Sequence, residues 1–417
     1  MAKVLGIRIP RIFRSSPERP GTSLSNPASW LTALFGKASK AGVDVSPENA
    51  ITATAFWRAV SILAESVAGL PFEVLEMDDD GNTQLRRRHP IAYLIDAEPN
   101  KLYTSFTFRH TMMVQACMFG NAYARIHRDE DGRPLKFTML DARHVNVFVG
   151  DDEDMYYVFK YKNQRETFKS SEVIHIPGFS MNGIAGLNTI DVHKDNLGTG
   201  LAARDYGANF FKNGAHLNGY VKYPTRLNEE GFDRVKRGWN ANYGGAENSG
   251  KTAILDQGSE FVPLNMGPQD AGLIPTQKFN VEDIARITGV PMHMLQALDR
   301  ATFNNIEQLS LEFAKYTIRP WVKRWEQEYN RKVFSQYERG QFKVRLNMDA
   351  FMRADTEARA EYYNKAIQNG WMSINEVRKT EKLNPVEGGD KHFIQLNMTT
   401  IDQPTGQDGQ NSEQDAV

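Results

Sequence analysis

The chain contains a single cysteine among its 417 residues. One thiol, Cys117, cannot close a disulfide framework or supply a cysteine-rich zinc site. Its setting in the apolar run "MMVQACMFGNAY" reads as a small buried hydrophobe. Long apolar runs are also missing. No eighteen-residue stretch is apolar enough for a membrane span, and no signal-peptide core is found. No membrane partner is expected, and synthesis is expected in a reducing cytoplasm. An excess of one charge is lacking too, since 50 basic residues meet 51 acidic ones for a net charge of -1. No global field therefore draws the chain to nucleic acid or to a lipid surface.

Catalytic patterns are equally scarce. None of the nine histidines forms H-E-x-x-H, and no G-x-S-x-G elbow occurs. The histidines of "VIHIP" and "MHML" stand alone and read as core or surface residues. The acidic run "GDDEDMYY" (150–157) lacks the glycine and the distal glutamate of a calcium loop, and reads as an exposed strand connection. The expectation is a protein that is not an enzyme, with no catalytic residue, no cofactor and no metal.

One stretch argues the other way. From Gly245 to Thr252, "GAENSGKT" matches the phosphate-cradling loop G-x-x-x-x-G-K-[ST]. That loop works only after a strand, with a helix starting at the lysine so that its free N–H groups meet the phosphates. Here the preceding "RLNEEGFDRVKRGWNANY" is helical, with Asn228 as its cap, Glu229 and Glu230 in its first turn, and Gly244 and Gly245 as its stop. The following "TAILDQGS" reaches a turn four residues beyond Thr252. Lys251 is read as a loop lysine.

Composition and periodicity divide the chain. Residues 1–45 form a basic arm rich in proline and serine, with Arg8, Arg11, Arg14 and Arg19; residues 386–417 form a polar acidic tail. Both are read as disordered. Residues 46–187 alternate helix and strand. Ser46 caps a helix with Phe56, Val60, Leu63 and Val67 on one face, and a second helix feeds a hairpin turning at Asp131-Gly132. The fold class is α+β. Residues 188–213 read as one long helix with many small residues, suited to close helix approach, with a break near Gly198 as the alternative. "TAILDQGSEFVPL" reads as two short strands. Further helices follow at 268–289, with Pro275 near the start, and at 303–334, where Pro320 should kink a stripe of Ile306, Leu309, Phe313, Trp321, Trp325, Tyr329 and Val333. A strand at 342–349 and two short helices at 354–369 and 373–383 complete the series.

Five segments stand in a recognisable order: "AVSILAESVAGLPFEVLE" (59–76), "FRHTMMVQACMFGNAYARIHRDEDGRP" (108–134), "EVIHIPGFSMNGIAGLNTID" (172–191), "YGANFFKNGAHLNGYV" (206–221) and "KFNVEDIARITGVPMHMLQALDRATFNNIEQ" (278–308). Over roughly residues 46–350 the chain resembles the portal proteins of tailed double-stranded-DNA bacteriophages of the HK97 type. The resemblance implies a portal fold assembled as a ring. Residues 46–187 would be the wing, 188–213 and 268–289 stem helices, and 214–267 the clip. Residues 290–303 would form the tunnel loop, 304–335 the kinked tunnel helix, 336–351 a strand returning to the wing, and 352–385 a small helical crown.

It further implies a dodecameric homo-oligomer at one capsid vertex of the virion, assembled in the host cytoplasm. Its partners would be double-stranded DNA, held without sequence preference, the terminase large subunit, the major capsid protein and scaffold, and the head-tail adaptor. Met294, Gln296, Asp299, Arg300 and Asn304 would approach the DNA channel. Arg234, Lys236, Arg237 and Lys251 in the clip would contact terminase or adaptor. A weakly charged chain suits a conduit, because each phosphate neutralised adds affinity and slows passage. The alternatives are a nucleotide-binding protein acting through Gly245–Thr252 and a structural head protein that forms no ring.

Overall fold

The computed structural model describes residues 3–4, 7–8, 39–78, 82–212, 219–224, 226–243, 255, 258–263, 273–296, 309–349, 356–381 and 383–393. It divides into two compact units, Met1–Asn347 and Met348–Val417.

The first unit is built on two packed helices, α1 (Thr54–Ala68) and α3 (Ser105–Phe119). Phe56, Val60, Leu63 and Val67 of α1 are buried, as their helical spacing predicts. Ser46 caps a separate one-turn helix, Pro47–Ala50, rather than α1. Asn49 Oδ1 accepts from the Ser46 N–H at 2.7 Å and closes that turn, so the chain must restart at Thr54.

Three antiparallel sheets surround this pair. The strands are β1 (Phe72–Met77), β2 (Thr83–Leu85), β3 (Asn121–Arg128), β4 (Pro134–Leu140), β5 (Val145–Val149), β6 (Met155–Tyr161), β7 (Gln164–Lys169) and β8 (Val173–Pro177), with α2 (Pro90–Asp96) between β2 and α3. One sheet runs β8-β3-β4 and another β5-β6-β7. In the third, β2 pairs with β1, whose other neighbour is β11 (Phe342–Leu346), with Val344 opposite Val74. A strand 270 residues downstream thus completes a sheet begun at Phe72.

The expected long helix at 188–213 is split. Asn188 caps a short turn, Thr189–Val192, and His193 leaves helical geometry at φ -106 and ψ 21. α4 (Lys194–Lys212) then continues through Gly198, where the alternative break was expected. A methyl at Gly200 would lie 2.5 Å from the Asn280 side chain, on the neighbouring α6 (Leu273–Thr288). This small residue admits a helix of the same chain, so close approach does not by itself require a second subunit.

Between these helices, β9 (Gly219–Lys222) pairs with β10 (Glu260–Pro263) across α5 (Glu229–Tyr243). Asn228 Oδ1 accepts from the Gly231 N–H at 2.9 Å and starts α5 as expected. The first of the two strands expected in 252–263 falls largely outside the described residues.

The long helix expected from 303 is described from residue 309. It contains a π-helical turn, Phe313–Ile318, followed by α7 (Arg319–Lys332). Pro320 offers no N–H and its ring crowds the carbonyl four residues back, so the helix widens here. Trp325 and Tyr329 of α7 are fully buried, with ring centroids 5.7 Å apart. In the second unit, α8 (Thr356–Gln368) is followed by α9 (Ile374–Thr380), capped by Ser373 and Glu376. The chain beyond α9 is anchored at the start of the expected tail. The Val386 N–H donates to Asn375 Oδ1 at 2.8 Å, and Asn375 Nδ2 donates to Asp390 Oδ1 at 3.0 Å.

Candidate functional site

The expected channel segment begins where α6 ends. Gly289 has φ 71, a left-handed stop that a side chain would strain. Val290 and Pro291 lead into a 3-10 turn, Met292–Leu295, and Gln296 again turns left-handed at φ 62. This turn places Met294, half-buried, beside Gln296, exposed. Asp299, Arg300 and Asn304 lie outside the described residues, so the structure brings together two of the five expected channel residues. The base of the turn is tied down from the far side. Thr317 Oγ1, in the π-helical turn, donates to the Gly289 carbonyl at 2.7 Å. Both ring nitrogens of His293 are buried without a hydrogen-bond partner, and burial lowers the pKa of this histidine.

A groove of about 510 Å³ opens beside this base, between the end of α6 and the π-helical turn. Ala285, Val290, Met292 and Phe313 line it, with Tyr316 at its edge. On its α6 wall, Arg286 pairs with Glu282 at 2.9 Å and Asp283 at 2.6 Å.

Beyond the groove, α7 is fastened to two sheets by its own side chains. Asn330 Oδ1 accepts from the Val344 N–H of β11 at 2.6 Å, and Asn330 Nδ2 donates to the Val344 carbonyl at 3.1 Å. Glu326 Oε1 accepts from the Leu346 N–H at 3.1 Å. Toward β8, Glu328 Oε1 accepts from the His175 N–H at 2.8 Å and Lys332 Nζ donates to the Val173 carbonyl at 2.6 Å. Lys332 also pairs with Glu328. Burial lowers the Lys332 pKa, and the Glu328 carboxylate opposes that shift. Beneath this pair, His175 Nε2 lies 2.9 Å from Asn121 Oδ1 and Nδ1 lies 3.3 Å from the Tyr157 hydroxyl. Burial, then the Lys332 charge, lowers the His175 pKa to about 3, so the ring is neutral. These groups look like a catalytic cluster, but their contacts end on backbone edges and on one another. They fix the helix that continues from the expected channel segment.

Sequence reasoning missed this anchor. One signal was present: in a helix rich in aromatics, Glu326/Asn330 and Glu328/Lys332 are two polar pairs at i,i+4 spacing, on two different faces. The π-helical turn and Thr317 carried no comparable signal.

The expected clip residues are only partly brought together. Arg234, Lys236 and Arg237 are all exposed on α5, and Arg237 Nε donates to the Asp233 carbonyl at 3.2 Å. Arg234 and Arg237 share a helix face, while Lys236 is about 160° away around the helix from Arg234. Trp239 stacks on Phe261 of β10 at 5.6 Å, which ties α5 to the two-stranded ribbon. Lys251 lies outside the described residues, as do residues 244–252 of the phosphate-loop pattern. The segment before the pattern is the helix α5, where a phosphate loop needs a strand. Cys117 is buried, and burial raises its thiol pKa to about 12. Among the described residues no group of three metal-ligating side chains gathers, and no helix is long and apolar enough to cross a membrane.

Residues 54–381 match the family described as phage portal protein. The portal protein of Enterobacteria phage HK97 is 29% identical over 362 residues, which is 86% of this chain and 85% of that protein. Two solved structures share the fold. A protein from the neck of an empty gene transfer agent particle, computed with C6 symmetry, superposes with a TM-score of 0.60 at 20% identity, covering 90% of this chain and 99% of that one. An HK97-family phage portal protein from Corynebacterium diphtheriae gives a TM-score of 0.56 at 17% identity, covering 77% of this chain and 99% of that one. The α+β arrangement of helices and small antiparallel sheets is therefore the portal fold, and the chain belongs to the phage portal protein family.

Proposed function

We propose that the chain is a non-enzymatic ring subunit that conducts double-stranded DNA through one vertex of a phage capsid. The observation that carries this reading is the family match over residues 54–381, which spans every described element from α1 to α9. The neck relative computed with C6 symmetry supports a ring, and a twelve-subunit ring follows from the resemblance. In this ring the two antiparallel helices α4 and α6 form the stem. The turn around Met294 and Gln296, continuing to Asp299, Arg300 and Asn304, faces the bore. The α5 helix with Arg234, Lys236 and Arg237, and the loop carrying Lys251, lie at the end that docks the terminase during packaging and the head-tail adaptor afterwards. The ring sits in the virion and contacts the major capsid protein and scaffold during assembly in the host cytoplasm.

The anchoring of α7 supports the channel role physically. A loop that meets moving DNA must be held from a rigid base. Here the base is a helix locked to two sheets, and Thr317 ties the near end to α6. Negative-stain imaging of the purified full-length protein tests the reading. Rings with a central hole are expected, twelvefold in averaged top views; a monodisperse monomer at micromolar concentration would overturn it.

A further inference from the structure

The loop between β8 and α4 exposes two large apolar side chains. Phe179 is 75% exposed and Met181 74% exposed. The loop that carries them is nevertheless held firmly. Ser180 Oγ donates to the Ala185 carbonyl at 2.6 Å, and Asn182 Oδ1 accepts from the Ile184 and Ala185 N–H groups at 2.9 and 3.1 Å. Asn121 clamps Gly186 from both sides, donating to its carbonyl and accepting from its N–H, each at 2.7 Å. Three glycines make the close approach possible. A Cβ at Gly120 would collide with the Leu187 carbonyl, one at Gly186 with the Gly120 carbonyl, and one at Gly178 would stand 3.2 Å from that same oxygen. The result is an ordered loop that presents a phenylalanine and a methionine to the outside. Such an anchor loses little conformational freedom on docking, which favours affinity.

The same chain carries a receptacle, the groove beside Gly289, whose mainly apolar lining is flanked by Glu282, Arg286 and Glu312. Its volume of about 510 Å³ lies within the range of pockets that hold compact apolar groups. Residues 178–188 carry no charge, so the loop brings no like charge against the lining Glu282, Arg286 and Glu312, and Arg286 is already paired with Glu282 and Asp283. A knob and a hole on one chain are the elements of a heterologous, head-to-tail contact, which closes into a ring when the rotation permits. A closed ring covers every knob and every groove; an external partner that took the knob would leave each groove bare.

We propose that Phe179 and Met181 of one subunit seat in the groove between α6 and the π-helical turn of the next. This rests on the ring reading above. The test is covalent capture in the assembled full-length protein, using a double variant, Met181→Cys with Tyr316→Cys, under mild oxidation. The native Cys117 is buried with a raised thiol pKa, so it does not compete. The expected result is a ladder of covalent oligomers on a non-reducing denaturing gel, absent from either single variant. Rings that image normally but give no ladder would overturn the seating while leaving the ring reading intact. An unmodified protein that forms no ring would overturn that reading and the seating together. As a second measurement, Phe179→Ala with Met181→Ala is expected to raise the concentration needed for ring formation at least tenfold, with Phe179→Leu restoring most of the loss. An unchanged concentration would overturn the proposal.

Discussion

His175 stands alone in "VIHIP", with no motif around it, and reads as an ordinary core or surface residue. The structure places it in the core but gives it a task there. Its backbone N–H donates to Glu328 and its ring meets Asn121 and Tyr157. The folded pKa is about 3 against an ordinary value of 6.5. Between those values the unfolded chain binds a proton that the folded chain refuses. Stability is therefore complete above about pH 6.5 and is lost as pH falls below it. One group with this shift costs about 2 kcal/mol at pH 5. Thermal unfolding at pH 7 and pH 5 should show that loss in the wild type and a smaller one in His175→Gln. Parallel pH dependence in the two proteins would rule out His175 as the source. The sequence offered no ligand motif around this histidine, and it could not show the acidic partner 153 residues away.

Helices and strands were legible where periodicity is local. The buried stripe of α1, the hairpin at Gly132 and the Asn228 cap all arise from neighbours in sequence, and all stand where spacing put them. The misses share one cause. The short turn capped by Ser46, the break at His193 and the π-helical turn before Pro320 depend on hydrogen bonds that periodicity does not count. The anchoring of α7 depends on strands brought in from elsewhere in the chain. In the expected channel segment, the sequence singled out Met294 and Gln296 among five positions but gave no sign of Thr317, whose bond to Gly289 links α6 to the helix that follows. The anchor itself is testable. Asn330→Ala removes both bonds to Val344 and leaves a buried N–H and C=O unpaired, at a cost of about 1–3 kcal/mol. The urea midpoint should fall accordingly; a wild-type midpoint would mean that β11 holds without the helix.

For the whole molecule, a net charge of -1 supplies no strong net field, so steering of a partner rests on how charge is distributed. Orientation must then come from local clusters, repeated around the ring by its symmetry. On the proposed reading Arg234 and Arg237 are that cluster; both are exposed on one face of α5, which the Trp239–Phe261 stack ties to the β9–β10 ribbon. A rim of like charges chiefly accelerates encounter and is screened by salt. Under the proposed docking role, reversing both, Arg234→Glu with Arg237→Glu, should weaken terminase docking about tenfold at low ionic strength, and the difference should shrink at high salt. Lys236→Glu, on the opposite face, should change docking less. Binding of terminase to surface-immobilised rings at two salt concentrations checks this, with ring formation imaged for each variant as a control. Equal docking by the wild type and the double reversal would place the docking surface elsewhere on the ring. A loss that persists undiminished at high salt would show instead that these arginines make close, desolvated contacts rather than steering the encounter.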